Sequence, residues 1–482
     1  MPGNITSFEL TLDDRQDHQT LGAWLYSALC SAILDGRLRP GTRLPATRDF
    51  ALQYGVSRGI VVNVFEQLKS DGYLSCKVGA GTWVNRQLQK MVPVRSAPAV
   101  VTRSKVLPEP LKGLVWTGPS KPFRMGDAAL SHFPAKTWAR IAANRLRQLP
   151  AWLEEKDDGR GYRPLREAVA DYLATSRGVK CNAGQVAIVS GVQQGLDLLS
   201  RLLLRPGDAI WMEDPGYFGA SIAFRNAAAK IVPVPLDEHG ISIADGKRLC
   251  PRPKAVYVTP GHQFPIGVTM SLERRLDLLA WADRERSFVI EDDYDGEFRF
   301  AGRPVPTLQG LDKAGRVILL GTFNKMLFSA LRIGYVVLPP SLIDPFLALR
   351  FGTEFRSMTF DQSVLCDFIV EGHLGRHIRR MRDLYANRLD ALMDSSARYL
   401  KGKLEIASVR AGLYTAGFLK NDMSSKDAEN ALTSAGIDSL GMHRFTLHGQ
   451  DPRGVVLGFS GFDEKRIRRG VVQMARVLEA KH

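Results

Sequence analysis

The stretch that decides the fold is GTFNKMLFSALRIGYVVL, residues 321–338. It joins two short apolar runs and places Lys325 just beyond the end of a predicted buried strand. A lysine in a partly desolvated site has a lowered pKa, and its amine can form an imine with an aldehyde. Thr322 and Arg332, three residues before it and seven after, can hold a phosphate. The stretch therefore predicts a site built around Lys325.

A second stretch, FVIEDDYDGEF at 288–298, carries an acid to the end of another apolar run. A carboxylate at Asp292 can keep a pyridinium nitrogen protonated, which is what pyridoxal phosphate needs to act as an electron sink. Tyr294 can bond the oxygen on the same ring. An EDD run is also typical of a solvated loop or a Mg²⁺ site, so this motif alone leaves the cofactor open.

The third stretch, SGVQQGLDLL at 190–199, begins a predicted helix directly after a glycine. The first N–H groups of a helix have no partner within it, so those of Val192 and Gln193 form an anion-binding nest. Taken alone, this motif is also typical of an ordinary helix cap, and a lysine such as Lys325 after a strand is also typical of a surface residue. The order of nest, acid and lysine along one chain favours a pyridoxal phosphate site.

Short β-branched runs alternate with helical stretches from residue 123 onwards. The runs are AIVS (187–190), DAIWM (208–212), KAVYVTP (254–260), SFVIEDD (287–293), RVILLG (316–321) and IGYVVL (333–338). Apolar strands separated by helices predict an α/β fold with a large, mostly parallel sheet, in which ligands gather at the carboxyl ends of the strands. The polar residues singled out above fall at those ends.

The first 86 residues form a separate predicted module. Helices are expected over 20–34, 47–54 and 58–70, followed by two short strands around a glycine turn at 73–76 and 81–84. Two short helices joined at Gly55, with Arg58 and Asn63 facing outward on the second, have helix-turn-helix spacing. A three-helix bundle without DNA binding has the same periodicity.

Composition sets the wider limits. The chain has 482 residues and a formal net charge of +15, of which residues 1–86 contribute only +1. Residues 87–122 hold six prolines and a net charge of +5, which predicts a semi-rigid linker before a domain over 123–482. Five scattered cysteines, a polar N-terminus and no run of about 18 apolar residues lead us to expect a cytoplasmic protein without a membrane helix.

The N-terminal module closely resembles the winged helix of GntR-type bacterial regulators. The PGTRLP turn (40–45), GVSR (55–58) and the GAGTWV wing (79–84) carry the resemblance. It implies contacts with double-stranded operator DNA, in which Asn63 reads an adenine edge and the wing glycines let the backbone approach a groove. The residues implied are Arg43, Thr47, Arg48, Ser57, Arg58, Asn63, Gly79 and Gly81.

The rest of the chain resembles fold-type-I aminotransferases and, more narrowly, the MocR/GabR family of fused regulators. The motifs are EDPGYFG (213–219), TPGHQFPIG (259–267), EDDYDGEFR (291–299) and GTFNKMLFSALRIGY (321–335). The resemblance implies a pyridoxal 5′-phosphate site on a large α/β domain with a smaller C-terminal α+β lobe. Lys325 is then the Schiff-base lysine, and the other implied cofactor contacts are Asp292, Tyr294, Tyr217, Val192, Gln193, Thr322, Arg332, His262 and Gln263.

This sequence departs from true aminotransferases where the substrate carboxylate is bound. Many of those enzymes have an arginine just before a C-terminal strand, and Val456 stands there in this chain. Arg444 and Arg410 are the nearest candidates to bind an effector carboxylate. His373 and His377, four residues apart on a basic helix, predict a solvated face and no metal site.

The sequence thus predicts a regulator, nucleoid-associated when bound to DNA, that senses a small amino compound or the cofactor itself through an aldimine at Lys325. The resemblance implies a head-to-tail, domain-swapped homodimer. We expect no net turnover. The alternatives are a working aminotransferase that carries a DNA-binding module, and a fold that has lost the cofactor and serves as a dimer scaffold.

Overall fold

The computed structural model describes residues 10, 12, 15, 19–77, 81–87, 119–148, 158–301, 305–354, 359–448 and 451–479. The chain divides into two compact units, residues 1–107 and 108–482. Most of the predicted linker at 87–122 lies outside the described residues, so its stiffness stays a prediction. Among the described helices, none has the length and apolar character needed to cross a membrane.

The first unit is a winged helix. Its helices are α1 (Leu21–Leu34), α2 (Thr47–Tyr54) and α3 (Arg58–Ser70), and its strands are β1 (Arg43–Leu44), β2 (Leu74–Lys77) and β3 (Gly81–Val84). The strands form an antiparallel sheet in the order β1-β3-β2. β1 is short and was not predicted. Its two residues form a strand because they pair with the wing strand β3.

Local chemistry sets the boundaries of these helices. Thr20 caps α1 by accepting the Ala23 N–H, and Ser57 caps α3 by accepting the Ile60 N–H. Gly55 ends α2 in the left-handed region, at φ 63°, which is where glycine is favoured over other residues. The predicted helix-turn-helix is therefore confirmed.

The second unit contains a series of helices and strands that alternate along the chain. Its helices are α4 (Ala135–Arg147), α5 (Arg163–Arg177), α6 (Val192–Leu203), α7 (Phe218–Asn226), α8 (Ile243–Leu249), α9 (Leu272–Glu285), α10 (Leu308–Leu311), α11 (Ile343–Phe351), α12 (Thr359–Val370), α13 (His373–Tyr399), α14 (Ser425–Ser434) and α15 (Glu464–Glu479). Its strands are β4 (Val186–Val189), β5 (Ala209–Asp214), β6 (Lys230–Asp237), β7 (Gly240–Ile241), β8 (Ala255–Val258), β9 (Phe288–Asp293), β10 (Val317–Thr322), β11 (Gly334–Val337), β12 (Leu404–Ile406), β13 (Tyr414–Leu419), β14 (Leu440–Gly441) and β15 (Gly454–Gly458).

Eight of these strands form the large sheet, in the order β4-β11-β10-β9-β8-β5-β6-β7. Only β11 and β7 run antiparallel to their neighbours, which confirms the mostly parallel sheet. Both faces are covered: Ile290 and Leu320 pack into the core on one side, and Val289 and Val317 into the core on the other. Because both faces are buried, the strands read as continuous apolar runs in the sequence.

The smaller lobe follows as predicted. Strands β12 to β15 form an antiparallel sheet in the order β12-β13-β15-β14, and α14 packs on it. The long helix α13 packs along the C-terminal helix α15. This α+β arrangement is the smaller C-terminal lobe that the sequence resemblance implies.

Candidate cofactor and DNA-binding sites

A cavity of about 550 Å³ opens at the carboxyl ends of β9 and β10. These strands are parallel neighbours, with Leu320 opposite Asp292 and Gly321 opposite Asp293, so residues that leave their ends must come close together. The cavity brings together most of the predicted cofactor contacts. Those that line it are Lys325, Asp292, Tyr294, Tyr217, Val192, Gln193, Thr322 and Arg332.

Lys325 extends into the cavity, and its Nζ lies 3.5 Å from the Gly126 carbonyl oxygen. Desolvation lowers the pKa of Lys325, while the carboxylates of Asp295 and Asp127 act in the opposite direction. A lowered pKa raises the fraction of neutral amine at neutral pH, and the neutral amine is the form that attacks an aldehyde.

The loop that carries Lys325 is fixed by hydrogen bonds on both sides of the lysine. The Asn324 N–H donates to Thr322 Oγ1 at 3.2 Å, and Asn324 Oδ1 accepts the Ile333 N–H at 3.2 Å. On the other side, His377 Nε2 lies 3.0 Å from the Met326 carbonyl oxygen and donates to it. The Asn324 side chain thus fixes the loop directly before Lys325.

The predicted solvated face at His373 and His377 is half wrong. His377 is only 5% exposed, because helix α13 packs it against the Lys325 loop, and burial lowers its pKa to about 4. His373 instead contacts Glu371 at 2.9 Å. Among the described residues, no group of three or more His, Cys, Asp or Glu side chains could hold a metal ion. Helical spacing alone could not show which histidine faces the core.

Asp292 has one satisfied and one unsatisfied oxygen. The Tyr257 hydroxyl donates to Oδ2 at 2.7 Å, whereas Oδ1 is buried and has no partner among the described residues. Burial raises the pKa of Asp292 to about 7. A protonated ring nitrogen at Oδ1 would supply both the missing hydrogen bond and a compensating charge, so this carboxylate fits the pyridine nitrogen of pyridoxal phosphate.

The opposite end of the cavity has the features of a phosphate cradle. Helix α6 begins after Gly191, whose φ is 94°, and its first residues, Val192 and Gln193, line the cavity. Arg332 lies beside them in the left-handed region, with a φ of 54°. At Gly334 a Cβ atom would lie 3.0 Å from the Gly191 Cα, so glycine lets β11 approach this turn closely. The N–H groups at the start of α6, together with a guanidinium, fit a phosphate dianion.

Aromatic side chains form the walls between these two ends. Tyr217 packs edge-on against Phe264, with ring centroids 5.4 Å apart. The Tyr294 hydroxyl donates to the His262 carbonyl at 2.8 Å and also contacts the hydroxyl of Tyr414. Tyr414 lines the cavity and comes from β13 in the smaller lobe, so the sequence offered no local signal for it.

His262 and Gln263 lie behind the cavity wall and do not line it. His262 Nδ1 contacts Asp295 Oδ2 at 2.9 Å, and its Nε2 is buried without a partner among the described residues. Gln263 Nε2 donates to the Pro215 carbonyl at 3.0 Å. These contacts hold the turns that carry Tyr217 and Tyr294, and a direct contact of either residue with the cofactor stays a prediction.

The two candidates for an effector carboxylate are not at the cavity. Arg444 makes a two-pronged ion pair with Glu429, with N···O distances of 2.6 and 2.8 Å, and Arg410 is exposed. A different arginine, Arg124, lines the cavity, and it pairs with Asp438 at 2.6 Å. Arg124 precedes the aminotransferase motifs, which is why the sequence did not single it out.

Most of the predicted DNA contacts lie on the surface of the winged helix. Arg43, Arg48, Ser57, Arg58 and Asn63 are exposed, and Thr47 is half-buried at the start of α2. Gly79 lies outside the described residues. This unit therefore offers exposed cations and polar groups at the start of α3 and beside the wing.

Two of these residues make contacts that the sequence did not indicate. The Arg43 guanidinium lies 5.8 Å from the centre of the Trp83 ring, and at Gly81, with a φ of 123°, a Cβ atom would lie 3.0 Å from Arg43 Nε. Asn63 lines a shallow groove between α3 and α1 together with Tyr26. Gly81 thus leaves room for the arginine beside the wing.

Comparison with known proteins assigns a family to each part of the chain. Residues 22–84 match the gntR family of bacterial regulatory proteins, and residues 153–443 match aminotransferase class I and II. The chain is 38% identical over 466 residues to the probable rhizopine catabolism regulatory protein MocR of Rhizobium meliloti, covering 95% of this chain and 94% of that protein. The chain belongs to the MocR/GabR family of transcriptional regulators.

Other members and solved structures extend the match. The pyridoxine biosynthesis transcriptional regulator PdxR of Corynebacterium glutamicum is 31% identical to this MocR/GabR regulator, covering 90% of this chain and 91% of that one. The kynurenine aminotransferase of Pyrococcus horikoshii, solved in complex with PMP, is 28% identical with a TM-score of 0.72, covering 82% of this chain and 99% of that one. Pyridoxal 5′-phosphate is the cofactor of this fold, and Lys325, Asp292 and the phosphate cradle fit it.

Proposed function

We propose that this MocR/GabR regulator binds operator DNA through its winged helix and changes that binding when a small amino compound, or the cofactor itself, occupies the Lys325 cavity. The observation that carries the proposal is that one cavity is lined by both an amine, Lys325 Nζ, and a carboxylate with an unsatisfied oxygen, Asp292 Oδ1. When bound, pyridoxal phosphate supplies an aldehyde for which Lys325 and an effector amine compete, and a pyridine ring that withdraws electrons.

The residues around the cavity have separate tasks in this proposal. Asp292 anchors the ring nitrogen and is itself held by Tyr257. The start of α6 and Arg332 take the phosphate, and Tyr217 covers a ring face. These contacts orient the cofactor so that Lys325 Nζ stays within reach of the aldehyde.

Lys325 would be left as a free amine when an effector amine takes its place at the aldehyde. That amine would hold the proton that the effector ammonium gives up, and its charge would be stabilised by Asp127 and Asp295, the carboxylates that act on Lys325 in this structure. With effector bound, the cavity therefore contains a charged Lys325 and the effector, and its contacts differ from those of the protein without effector. Such a difference is what a ligand needs in order to shift a two-state equilibrium.

The proposal extends to assembly and location. We propose a head-to-tail homodimer in which each winged helix is exchanged, so that a change in the cavity alters the spacing of the two DNA-binding modules. The protein acts in the cytoplasm of a bacterium, at the nucleoid. The relative named for pyridoxine biosynthesis supports the cofactor as an effector, and the one named for rhizopine catabolism supports a different small molecule.

The alternative is a working aminotransferase that carries a DNA-binding module. The lysine and the aspartate that imine chemistry needs both line the cavity, which favours this alternative. Against it, the buried Val456 on β15 stands where a carboxylate-binding arginine is frequent, and Arg444 is occupied by Glu429. Assays with an amino acid and an acceptor keto acid, both in excess over the protein, separate the two, because sustained keto-acid production at enzyme-like rates would show that the protein is an enzyme.

The test of the proposed function is a spectral screen of amines with the holo-protein, paired with DNA binding. We expect wild-type protein to show the visible absorbance of a lysine-bound cofactor, and Lys325→Ala to lose both this absorbance and the effect of the amine on DNA binding. Lys313→Ala is the matched control, since Lys313 is exposed in the loop before β10. An amine response that survives in Lys325→Ala would overturn the proposal.

A further inference from the structure

A second large concavity, of about 740 Å³, lies between the end of α13 and α15 in the smaller lobe, away from the cofactor cavity. Four exposed arginines line it, and we call it the arginine groove: Arg398 from α13, and Arg468, Arg469 and Arg476 from α15. Asp394 is the one acidic residue among the described residues that line it.

These arginines differ from those exposed arginines of the unit that have a carboxylate one turn away. Such a carboxylate neutralises the guanidinium in Arg163–Glu167 at 3.0 Å and in Arg201–Asp197 at 2.6 Å. Within the described part of the chain, none of the four groove side chains forms an ion pair or a hydrogen bond. Four like charges held together with a single carboxylate, Asp394, among the described lining residues destabilise a surface. The arginine groove therefore has an unmet preference for an anion.

The geometry suits an extended anion better than a small one. Arg468 and Arg476 are eight residues apart on one helix, a distance of about 12 Å along its axis. Duplex DNA carries one phosphate charge per about 1.7 Å of its axis, so this length faces several phosphates. The guanidinium fork binds phosphate oxygens in pairs, which an ammonium cannot do.

We infer that the arginine groove binds the sugar–phosphate backbone of double-stranded DNA and adds sequence-independent contacts to those of the winged helix. The inference rests on the proposed function, in which this chain binds DNA. It also gives a location to part of the basic excess, since residues 1–86 contribute only +1 of the net charge of +15. In this inference the winged helix contacts the bases, and the arginine groove contacts the phosphates.

The test measures the salt dependence of DNA binding by the full-length holo-protein. The probe is a labelled duplex of mixed sequence, about 40 base pairs long, and the variant is Arg398→Gln/Arg468→Gln/Arg469→Gln/Arg476→Gln. Each lost phosphate contact lowers the slope of log K against log salt by about 0.9, so we expect the slope to fall by about 2 to 4. The corresponding Arg→Lys set keeps the charges and is expected to keep most of the slope.

A matched control removes the same number of charges elsewhere. Arg163→Gln/Arg201→Gln/Arg248→Gln/Arg284→Gln changes four exposed arginines that already pair with carboxylates, and we expect the slope to stay at the wild-type value. A thermal midpoint close to wild type shows that each variant is folded. If a groove variant is unfolded, the milder pair Arg468→Gln/Arg476→Gln replaces it, with an expected slope change of about 2.

Three outcomes overturn the inference. The first is an unchanged slope in the groove variant, and the second is an equal fall of the slope in the control set, which would indicate bulk charge. The third comes from measuring binding of the same proteins to polyglutamate: a groove variant that loses binding to polyglutamate and keeps binding to DNA would indicate an acidic protein partner. The proposed function fails separately. If Arg58→Ala weakens DNA binding and the groove variant does not, only the groove inference is lost, whereas wild-type protein that binds no duplex at all rejects both.

Discussion

The Tyr257 hydroxyl donates a hydrogen bond of 2.7 Å to Asp292 Oδ2 and leaves Oδ1 unsatisfied in the cavity wall. The two residues lie on adjacent parallel strands, β8 and β9. The tyrosine fixes the carboxylate in one orientation and leaves a single acceptor, Oδ1, which is the atom that we propose contacts the cofactor. Two strands of the sheet thus cooperate in presenting one oxygen atom.

Removing this hydrogen bond should weaken cofactor binding. We expect Tyr257→Phe to bind pyridoxal phosphate about 3- to 10-fold more weakly, because one buried hydrogen bond contributes about 1 kcal/mol. Asp292→Asn should lose more, about 10- to 100-fold, since the bond to a charged partner is stronger. Both are measured by titrating the apo-protein and following cofactor absorbance. Tyr335→Phe is the control, because the buried Tyr335 hydroxyl has no partner among the described residues. Equal affinities for Tyr257→Phe and wild type would contradict this reading.

The buried His377 should make the large unit less stable in mild acid. Its pKa is lowered from 6.5 to about 4, so the unfolded chain takes up a proton more readily than the folded protein between these values. The contribution of His377 to stability is complete above about pH 6.5 and is lost as the pH falls towards 4, by at most about 3 kcal/mol. Thermal midpoints at pH 5 and pH 7.5 measure this difference. His377→Gln keeps a donor to Met326 and should flatten the pH dependence, and a profile unchanged by His377→Gln would assign the acid sensitivity to other groups.

Arg58 at the start of α3 should matter for DNA and not for the cofactor. We expect Arg58→Ala to weaken binding to a DNA fragment selected by the wild-type protein by about 1 to 3 kcal/mol, with the visible cofactor spectrum unchanged. Lys69→Ala is the control, because Lys69 lies in the last turn of the same helix and pairs with Glu66 at 3.4 Å. Electrophoretic mobility shift and absorbance on the same samples separate the two effects. Equal loss in both variants would mean that general charge, and not the position of Arg58, governs binding.

Arg444 should behave as a structural residue. Its ion pair with Glu429 is mostly shielded from water, so Arg444→Met leaves a poorly solvated carboxylate and should destabilise the smaller lobe by about 3 kcal/mol. Adding Glu429→Gln should restore much of the loss, because the unpaired charge is removed. Thermal unfolding measures both variants. If the amine response disappears in folded Arg444→Met protein, Arg444 contacts the effector after all.

The amino-acid sequence by itself determined the two domains of this protein and the strand-end residues of its site. Strand ends can be read from the sequence because strands buried on both faces must be continuously apolar. Asp292 and Thr322 are among the last residues of β9 and β10, and Lys325 follows the end of β10 by three residues. The winged helix was equally readable, since Thr20, Ser57 and Gly55 act on their own helices through local contacts.

Only the tertiary structure decided which side chains support those residues. Tyr257, Tyr414 and His377 reach the site from another strand, another lobe and a distant helix, and no spacing in the sequence relates them to Lys325. The same holds for Arg444, which forms an ion pair with Glu429 and does not reach the cavity. Local periodicity shows where an element begins and ends. Which partner a buried polar group finds depends on packing between elements far apart in the chain.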